Sequence, residues 1–513
     1  MVAPDAARFT FDSAEYALAG RTWLETGRLA TPFLHPASLR PLAGPPFPLL
    51  AGHPLVPALD AVAFALLGRT PDATLVPAAI AYAACVLLVV RLAFALGGSR
   101  LAALGAGAAF ALSPWALHFA CEGRTEMPFA ALHTAALLLL WELPRAPRAV
   151  ALGVLLGVAH LARPIVVPLL PAWALGFWFL APRDRRAGLA ARALAGFLPL
   201  ASLTALYKWA ATGSAFTDVA GTLLLTGISP EWAVARLNRM NPPPDAIAWV
   251  LGHPGAFAGK VLANLRSLLY GAWDAAGRLS PTLAALGTLL AIARPAVVGE
   301  GGTRAEPGHM EQSRAFALTL LAQFALLALL AAATVADPRM LFPLLPAGVA
   351  LGFAMLARLA AALGARRRLA LALACALVAA GAAVSLARGW RHAGADAAQR
   401  GFRETEWRDL GAAVAPLLPA KGLVASDEPP WLAWQTRRAV VSVPLEPEQL
   451  LAAEPRLRPA AVVLTNEWLV KRPLEERWRE MLERDSPPAG FRFAGHVKSG
   501  RLEAAVFTRP PSP

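Results

Sequence analysis

The chain reads as a mainly α protein: a polytopic bundle of transmembrane helices, followed by a small C-terminal extracytoplasmic α/β domain. Three observations predict the architecture. Of 513 residues, 57% are hydrophobic and 16% charged, against about 25% charged in an ordinary soluble chain. Mean hydropathy is +0.49, so the apolar excess has to face lipid rather than one core. After Leu386 the long apolar runs give way to short alternating ones. Disorder, collagen-like repeats and a disulfide-stapled scaffold are excluded by the same composition.

Residues 1–72 read as an external loop with juxtamembrane helices. Asp12–Leu29 has helical character, with Tyr16, Leu18, Trp23 and Leu24 as its apolar side. A Pro-rich stretch through Pro45, Pro46 and Pro48 follows. The second helical run, His53–Gly68, carries Asp60; it is too polar and short to span and is expected in the membrane interface.

Residues 73–388 form the expected bundle. Apolar runs are Ala73–Gly97, Leu101–Ala120, Glu126–Trp141, Ala149–Leu161, Pro164–Leu180, Leu189–Ala211, Thr282–Ala293, Phe316–Val335, Leu341–Leu359 and Leu369–Leu386. Most approach the ~20 residues a crossing helix needs. Alternate connections hold twelve Arg, at positions 100, 145, 148, 183, 185, 186, 294, 304, 314, 366, 367 and 368. The opposite ones hold Arg124, Arg163 and Arg339. The positive-inside rule puts the first set in the cytoplasm, and residues 1–72, the long loop 212–280 and the tail outside. Ten spans put both termini on one side, yet residues 1–72 carry no signal peptide or leading apolar helix. A further helix upstream of Met1 is therefore expected; the alternative is the inverted orientation.

Residues 389–513 read as a soluble α/β unit of two or three layers. Strand-like runs are Gly422–Ser426, Ala439–Val443 and Ala460–Thr465, with Phe491–Val497 and Leu502–Phe507 as a closing pair. Helical stretches lie around Trp407–Leu418, Pro447–Ala453 and Leu474–Glu483.

The net charge of +14 does not mark a nucleic-acid binder. From Gly389 onward there are 18 basic and 16 acidic residues, so +12 belongs to the apolar part, mostly as Arg in short connections. That is topology-setting charge. Cys85, Cys121 and Cys375 lie in or beside apolar runs, with no disulfide or metal spacing. No GxxxxGK[ST], GxGxxG after a strand, HExxH or CxxC occurs, so a cytosolic nucleotide-driven mechanism has no support.

The candidate chemistry gathers at the external helix ends. Asp12 and Glu15, three apart, share a helix face. Such a carboxylate can serve as general base toward a hydroxyl or amine, or Asp12 can simply cap the helix. His53, before Pro54, could contact a phosphate or orient an acceptor, or be an ordinary polar helix start. Arg124 and Glu126 bracket the end of a span, where a local ion pair is the plain reading. Arg163, Lys208 and Arg339 are three cations able to bind a lipid-linked phosphate, or to snorkel to head groups. A secondary transporter or lipid flippase is the competing class; it would place ionisable groups near the bilayer midplane.

FTFDSAEYALAGRTWLETGRL, GHPLVPALDAVAFALLG, ALSPWALHFACEGRTEMPFAALHTAALLLL, HLARPIVVPLLP, YKWAATGSAF and DPRMLFPLLPAGVALG occur in that order. Together they resemble the GT-C glycosyltransferases, specifically the family 39-like group of protein-mannosyltransferase and aminoarabinose-transferase type. The resemblance covers residues 9–390. It implies transfer of a sugar from a polyprenyl-phosphate donor to a lipid, glycan or protein acceptor outside the inner (cytoplasmic) membrane, without nucleic acid. It puts the catalytic acid at Asp12. Ser13 stands where many members have a second acid, and Glu15 is the next. The pair His53–Pro54 matches the family pattern, and Arg163 and Arg339 fall where donor-phosphate cations are expected, with Lys208 as a third. His53, Arg124 and Glu126 are the substrate-binding candidates. No cofactor is implied; some members use a divalent metal, which these cations make unnecessary.

Overall fold

The computed structural model describes residues 11–34, 45–49, 53–143, 148–213, 245–276, 278–293, 307–362, 404–444, 447–452, 458–466 and 476–510, with a few isolated positions besides. Two compact units emerge. One joins Met1–Thr74, Leu206–Phe257 and Ala393–Pro513; the other joins Leu75–Ala205 and Ala258–His392.

In the first unit, helix α1 (Phe11–Thr26) leads into short strands β1 (Ala30–Thr31), β2 (Phe33–Leu34) and β3 (Phe47–Pro48), then helix α2 (Leu55–Leu67). The helices that follow include α3 (Leu75–Gly97), α4 (Arg100–Ala111), α5 (Pro114–Ala120), α6 (Glu126–Glu142), α7 (Ala149–Ala162), α8 (Val166–Leu180), α9 (Arg186–Thr212), α10 (Ala246–Gly252), α11 (Pro254–Ala275), α12 (Leu279–Ala293), α13 (Pro307–Ala333) and α14 (Leu345–Ala362), most of them in the second, helical unit. Of these, α9 runs across the division between the units, α10 lies in the first unit, and α11 begins there.

Among the described residues, four helical segments are long and apolar enough to cross a membrane: Pro71–Gly97, Arg183–Thr212, Met310–Ala333 and Pro338–Ala361. A fifth is the bent pair α4–α5. The run expected as one span, Leu101–Ala120, bends by 60° between these two helices. Ser113–Pro114 explains the break, because proline disfavours helix at the residue before it. Four further helices, α2, α7, α8 and the stretch Ser280–Ala293, are apolar but shorter. The run Leu369–Leu386 lies almost wholly outside the described residues.

The expected loop 212–280 contains α10 and the 22-residue α11. Lys260, Arg266 and Asp274 interrupt the hydropathy of α11, so its helical spacing does not register as an apolar run. Its inward face carries Lys260 and Leu268, while Leu262, Leu269 and Tyr270 are exposed. Asn264 donates to the Ala332 carbonyl at 2.8 Å.

Small residues set the closest helix crossings. A Cβ at Gly153 of α7 would strike the Ala193 carbonyl of α9, and one at Gly196 the Val150 carbonyl. Such contacts let backbones approach where no hydrophobic force drives helices together.

The first unit ends in α15 (Glu404–Val414), β4 (Leu423–Ser426), α16 (Pro429–Thr436), β5 (Val440–Ser442), α17 (Gln449–Ala452), β6 (Pro459–Thr465), α18 (Glu476–Arg484), β7 (Arg492–Ser499) and β8 (Leu502–Thr508). These match the strands and helices expected from sequence, with α16 added. A six-stranded sheet has the order β2-β5-β4-β6-β8-β7. Strands β2, β5, β4 and β6 run parallel, and β8 and β7 close the edge antiparallel.

The strand β2 comes from the opening segment of the chain and pairs Phe33 with Val440 and Leu34 with Val441. Phe33 and Leu34 point to opposite faces, as successive strand residues must. Phe33 joins a core with Ala14, Ala17, Leu18, Phe64, Trp407 and Trp434; Leu34 joins another with Phe47, Trp478 and Phe507. The unit is thus three-layered. Residues 1–72 and 389–513, read as separate regions in the sequence, share its sheet and both of its cores.

Candidate functional site

The helix α1 has three faces, set by its turn of about 100° per residue. Ala14, Ala17, Leu18 and Arg21 lie at the spacing i, i+3, i+4, i+7, and all are buried. Gly20 abuts α2, where an added Cβ would meet the Pro57 carbonyl and the Asp60 Cβ. Asp12, Glu15 and Trp23 form the third, partly exposed face. The apolar side is therefore not the Tyr16, Leu18, Trp23, Leu24 set expected from sequence: Leu24 is exposed. Small alanines make the contact because a helix lies against a sheet-borne core at close range.

Since α1 starts at Phe11, Asp12 sits in its first turn rather than at the cap. There its charge is favoured by the helix dipole. Burial, with the Asp12 charge adding to it, pushes the Glu15 carboxyl up to about 8. At neutral pH Glu15 is thus a proton-bearing neighbour of Asp12. On α2, Asp60 is fully buried and neither carboxylate oxygen has a hydrogen-bond partner among the described residues. Burial raises it well above the usual carboxylate range. His53 precedes α2 and is partly exposed.

The segment between α1 and α2 is held by Tyr207, whose hydroxyl donates to the Leu29 carbonyl and accepts from the Leu49 amide at 2.8 Å. The next residue, Lys208, is half-buried near the end of α9.

In the helical unit a second group forms around Glu126, the first residue of α6, only 2% exposed. Arg163, at the C-terminal end of α7, donates from Nη1 to Glu126 Oε1 at 3.0 Å and from Nη2 to Met340 Sδ at 3.6 Å. Arg339 Nη1 lies 3.8 Å from the same Oε1, and its Nε pairs with Asp337. Asp337 also caps the 3-10 turn Pro338–Leu344 by accepting from the Arg339 amide at 3.0 Å. Phe342 seats that turn, its ring fully buried against Phe119 at 4.6 Å and Trp115 at 5.8 Å.

Two cations and two carboxylates thus share one cluster. The arginines are 12% and 31% exposed at the side chain, so they keep access to an anion. Arg124 does not pair with Glu126 as the sequence suggested. It pairs with Glu122 at 3.0 Å, which also meets His118 at 3.2 Å. The reason is directional: Glu126 is drawn into the bundle toward Arg163, leaving Arg124 to the glutamate on its other side.

Sequence reasoning missed Arg21, Asp60 and Asp337 as members of these groups. Only Asp337 left a signal, the Asp-Pro start of a helical turn. Among the described residues no group of three or more His, Cys, Asp or Glu could hold a metal ion.

No protein-family profile matches the chain, and no curated protein matches it by sequence. Its structure is similar to the crystal structure of ArnT from Cupriavidus metallidurans bound to undecaprenyl phosphate, at 16% identity and a TM-score of 0.52, over 96% of this chain and 93% of that one. Against the apo state of ArnT the values are 14%, 0.50, 99% and 94%. The chain therefore has the fold of ArnT along nearly its whole length, mainly helical with a C-terminal α/β part, as its sequence led one to expect.

Proposed function

We propose that the chain is a membrane glycosyltransferase that moves a sugar from a polyprenyl-phosphate donor to an acceptor on the outer face of the cytoplasmic membrane. The observation that carries this reading is the convergence of Arg163 and Arg339, from distant parts of the chain, on one partly accessible cluster. It occurs in a fold shared with a protein that binds undecaprenyl phosphate. Paired guanidiniums offer the fork geometry that phosphate oxygens accept.

The reaction is a single displacement with inversion. Asp12 takes the proton of an acceptor hydroxyl or amine, whose lone pair forms the new bond at the anomeric carbon. The bond from that carbon to the phosphate oxygen breaks, and its electron pair leaves with the polyprenyl phosphate. Arg163 and Arg339, with Lys208, stabilise the charge that develops there. Glu126 and Asp337 hold the arginines in place until the phosphate competes for them. Glu15, neutral at pH 7, keeps a second negative charge away from Asp12. His53 and Arg124 remain candidates for binding the acceptor or the sugar.

Reconstitution in liposomes with undecaprenyl-phosphate-linked pentoses and hexoses tests the reading. The expected result is sugar transfer with release of undecaprenyl phosphate, lost in Asp12→Asn. Movement of the intact lipid across the bilayer with no cleavage would make the chain a flippase and overturn it.

A further inference from the structure

Three of the four residues in the buried stripe of α1 are Ala14, Ala17 and Leu18; the fourth is Arg21, only 7% exposed. A Leu or Met would fill this place without the cost of burying a charge. The guanidinium is instead held at both Nη atoms and on one ring face. Nη1 donates to the Trp434 carbonyl at 3.1 Å and Nη2 to the Ala433 carbonyl at 3.2 Å, across 413 and 412 residues of sequence. Its Cζ lies 4.6 Å from the centre of the Trp434 ring.

Both carbonyls belong to the last turn of α16, which ends at Arg437 in the left-handed conformation. The Ala433 carbonyl also accepts from the Arg437 amide at 3.1 Å, and carbonyls at a helix C-terminus favour a cation. Trp434 in turn packs on Phe64 of α2, with ring centres 6.0 Å apart. One side chain therefore ties α1 to a helix of the α/β domain, beside the contact that ties α2 to it. On α1, Arg21 lies nine residues after Asp12, which at about 100° per residue is half a turn round the helix.

We infer that Arg21 is a positioning residue for the proposed transfer: it clamps α1 by the face opposite Asp12 onto the end of α16. The C-terminal α/β domain is thereby part of the scaffold that sets the direction of the acid. The packing of Ala14, Ala17 and Leu18 and the close approach of Gly20 to α2 restrict the rotation of α1 about its axis without a directional contact. The bidentate, stacked guanidinium supplies one. The inference rests on the role given above to Asp12, but the clamp itself does not.

The test compares Arg21→Met and Arg21→Lys with the parent in the full chain, using amide hydrogen exchange and transfer kinetics with undecaprenyl-phosphate-linked sugars. In Arg21→Met, exchange is expected to rise across residues 11–20 and stay unchanged in β4, β6 and β8. The kcat falls about tenfold or more while the donor KM changes less than about twofold, the signature of a misdirected group. Arg21→Lys recovers part of the loss, since it keeps the charge and one hydrogen bond. Unchanged exchange over residues 11–20, or unchanged kcat, overturns the inference. If the parent transfers none of the sugars while α1 still loosens in Arg21→Met, the transferase reading falls and the clamp stands. Should Arg21→Met not fold, Arg21→Lys is judged by the same two readouts.

Discussion

The Arg163 guanidinium donates to Glu126 at 3.0 Å, and Glu126 is almost wholly removed from solvent. A carboxylate buried at a helix start is tolerable because two arginines face it, and the arginines are held because it is there.

This mutual dependence predicts a non-additive mutant cycle. Glu126→Ala leaves two cations without their shared partner and is expected to cost about 3 kcal/mol of stability, as breaking buried pairs does. The double replacement Glu126→Ala with Arg163→Met is expected to cost less than the sum of the Glu126→Ala and Arg163→Met losses taken singly. Thermal unfolding in detergent measures both; strictly additive losses would mean that the pair is not energetically coupled.

Removing the acid from α1 separates binding from chemistry. Asp12→Asn is expected to lower the transfer rate by at least about 100-fold, the range typical of a lost general base. Its affinity for undecaprenyl phosphate is expected to stay within about twofold, because the phosphate is assigned to the arginines and Lys208. A rate close to that of the parent would remove Asp12 from the mechanism.

Glu15 gives the pH profile a direction. Its folded value is raised from 4.5 to about 8, so the folded state holds a proton that the unfolded chain releases. The stability it contributes is full below about pH 4.5 and is lost as pH rises through 8. Activity is expected to fall on the alkaline side near pH 8, when a second negative charge appears beside Asp12. Glu15→Gln should flatten both trends. A parent profile level from pH 6 to 9 would show that Glu15 does not govern it.

In the α/β domain, Asp427 follows β4 and accepts from the Thr465 amide at 3.0 Å and from its hydroxyl at 2.8 Å, bracing β4 against β6. Burial raises its carboxyl to about 7 despite these hydrogen bonds. Here too the contribution is full below the unfolded value near 4 and is lost as pH rises through 7. Asp427→Asn should remove that slope. Thr465→Val should cost about 1–2 kcal/mol by leaving the buried carboxyl short of a donor. Unfolding midpoints of the domain signal between pH 4 and 8 decide the matter.

Much of the C-terminal architecture was legible because strand alternation is a local property. The runs at Ala460–Thr465 and Leu502–Phe507 needed only their own period to be read, and they pair in the sheet. The acidic pair in α1 was legible for the same reason, since a spacing of three puts Asp12 and Glu15 on one side of any helix. The apolar side of α1 was misread because large residues suggested burial, whereas close contact with a sheet-borne core selects alanine. The same difficulty hid α11, whose apolar residues follow a helical period but are interrupted by charge.

The sequence by itself determined most of the helices, strands and apolar runs, α10, α11 and α16 excepted, and which side chains at helix ends could carry charge. Only the tertiary structure decided that Phe33 and Leu34 complete the C-terminal sheet, that Arg163 and Arg339 meet at Glu126 rather than Glu126 pairing with Arg124, and that Arg21 closes onto α16. Period and hydropathy depend on neighbours a few bonds away and so are written along the chain. Which residues meet across hundreds of positions depends instead on how closely packed surfaces fit once the chain is closed.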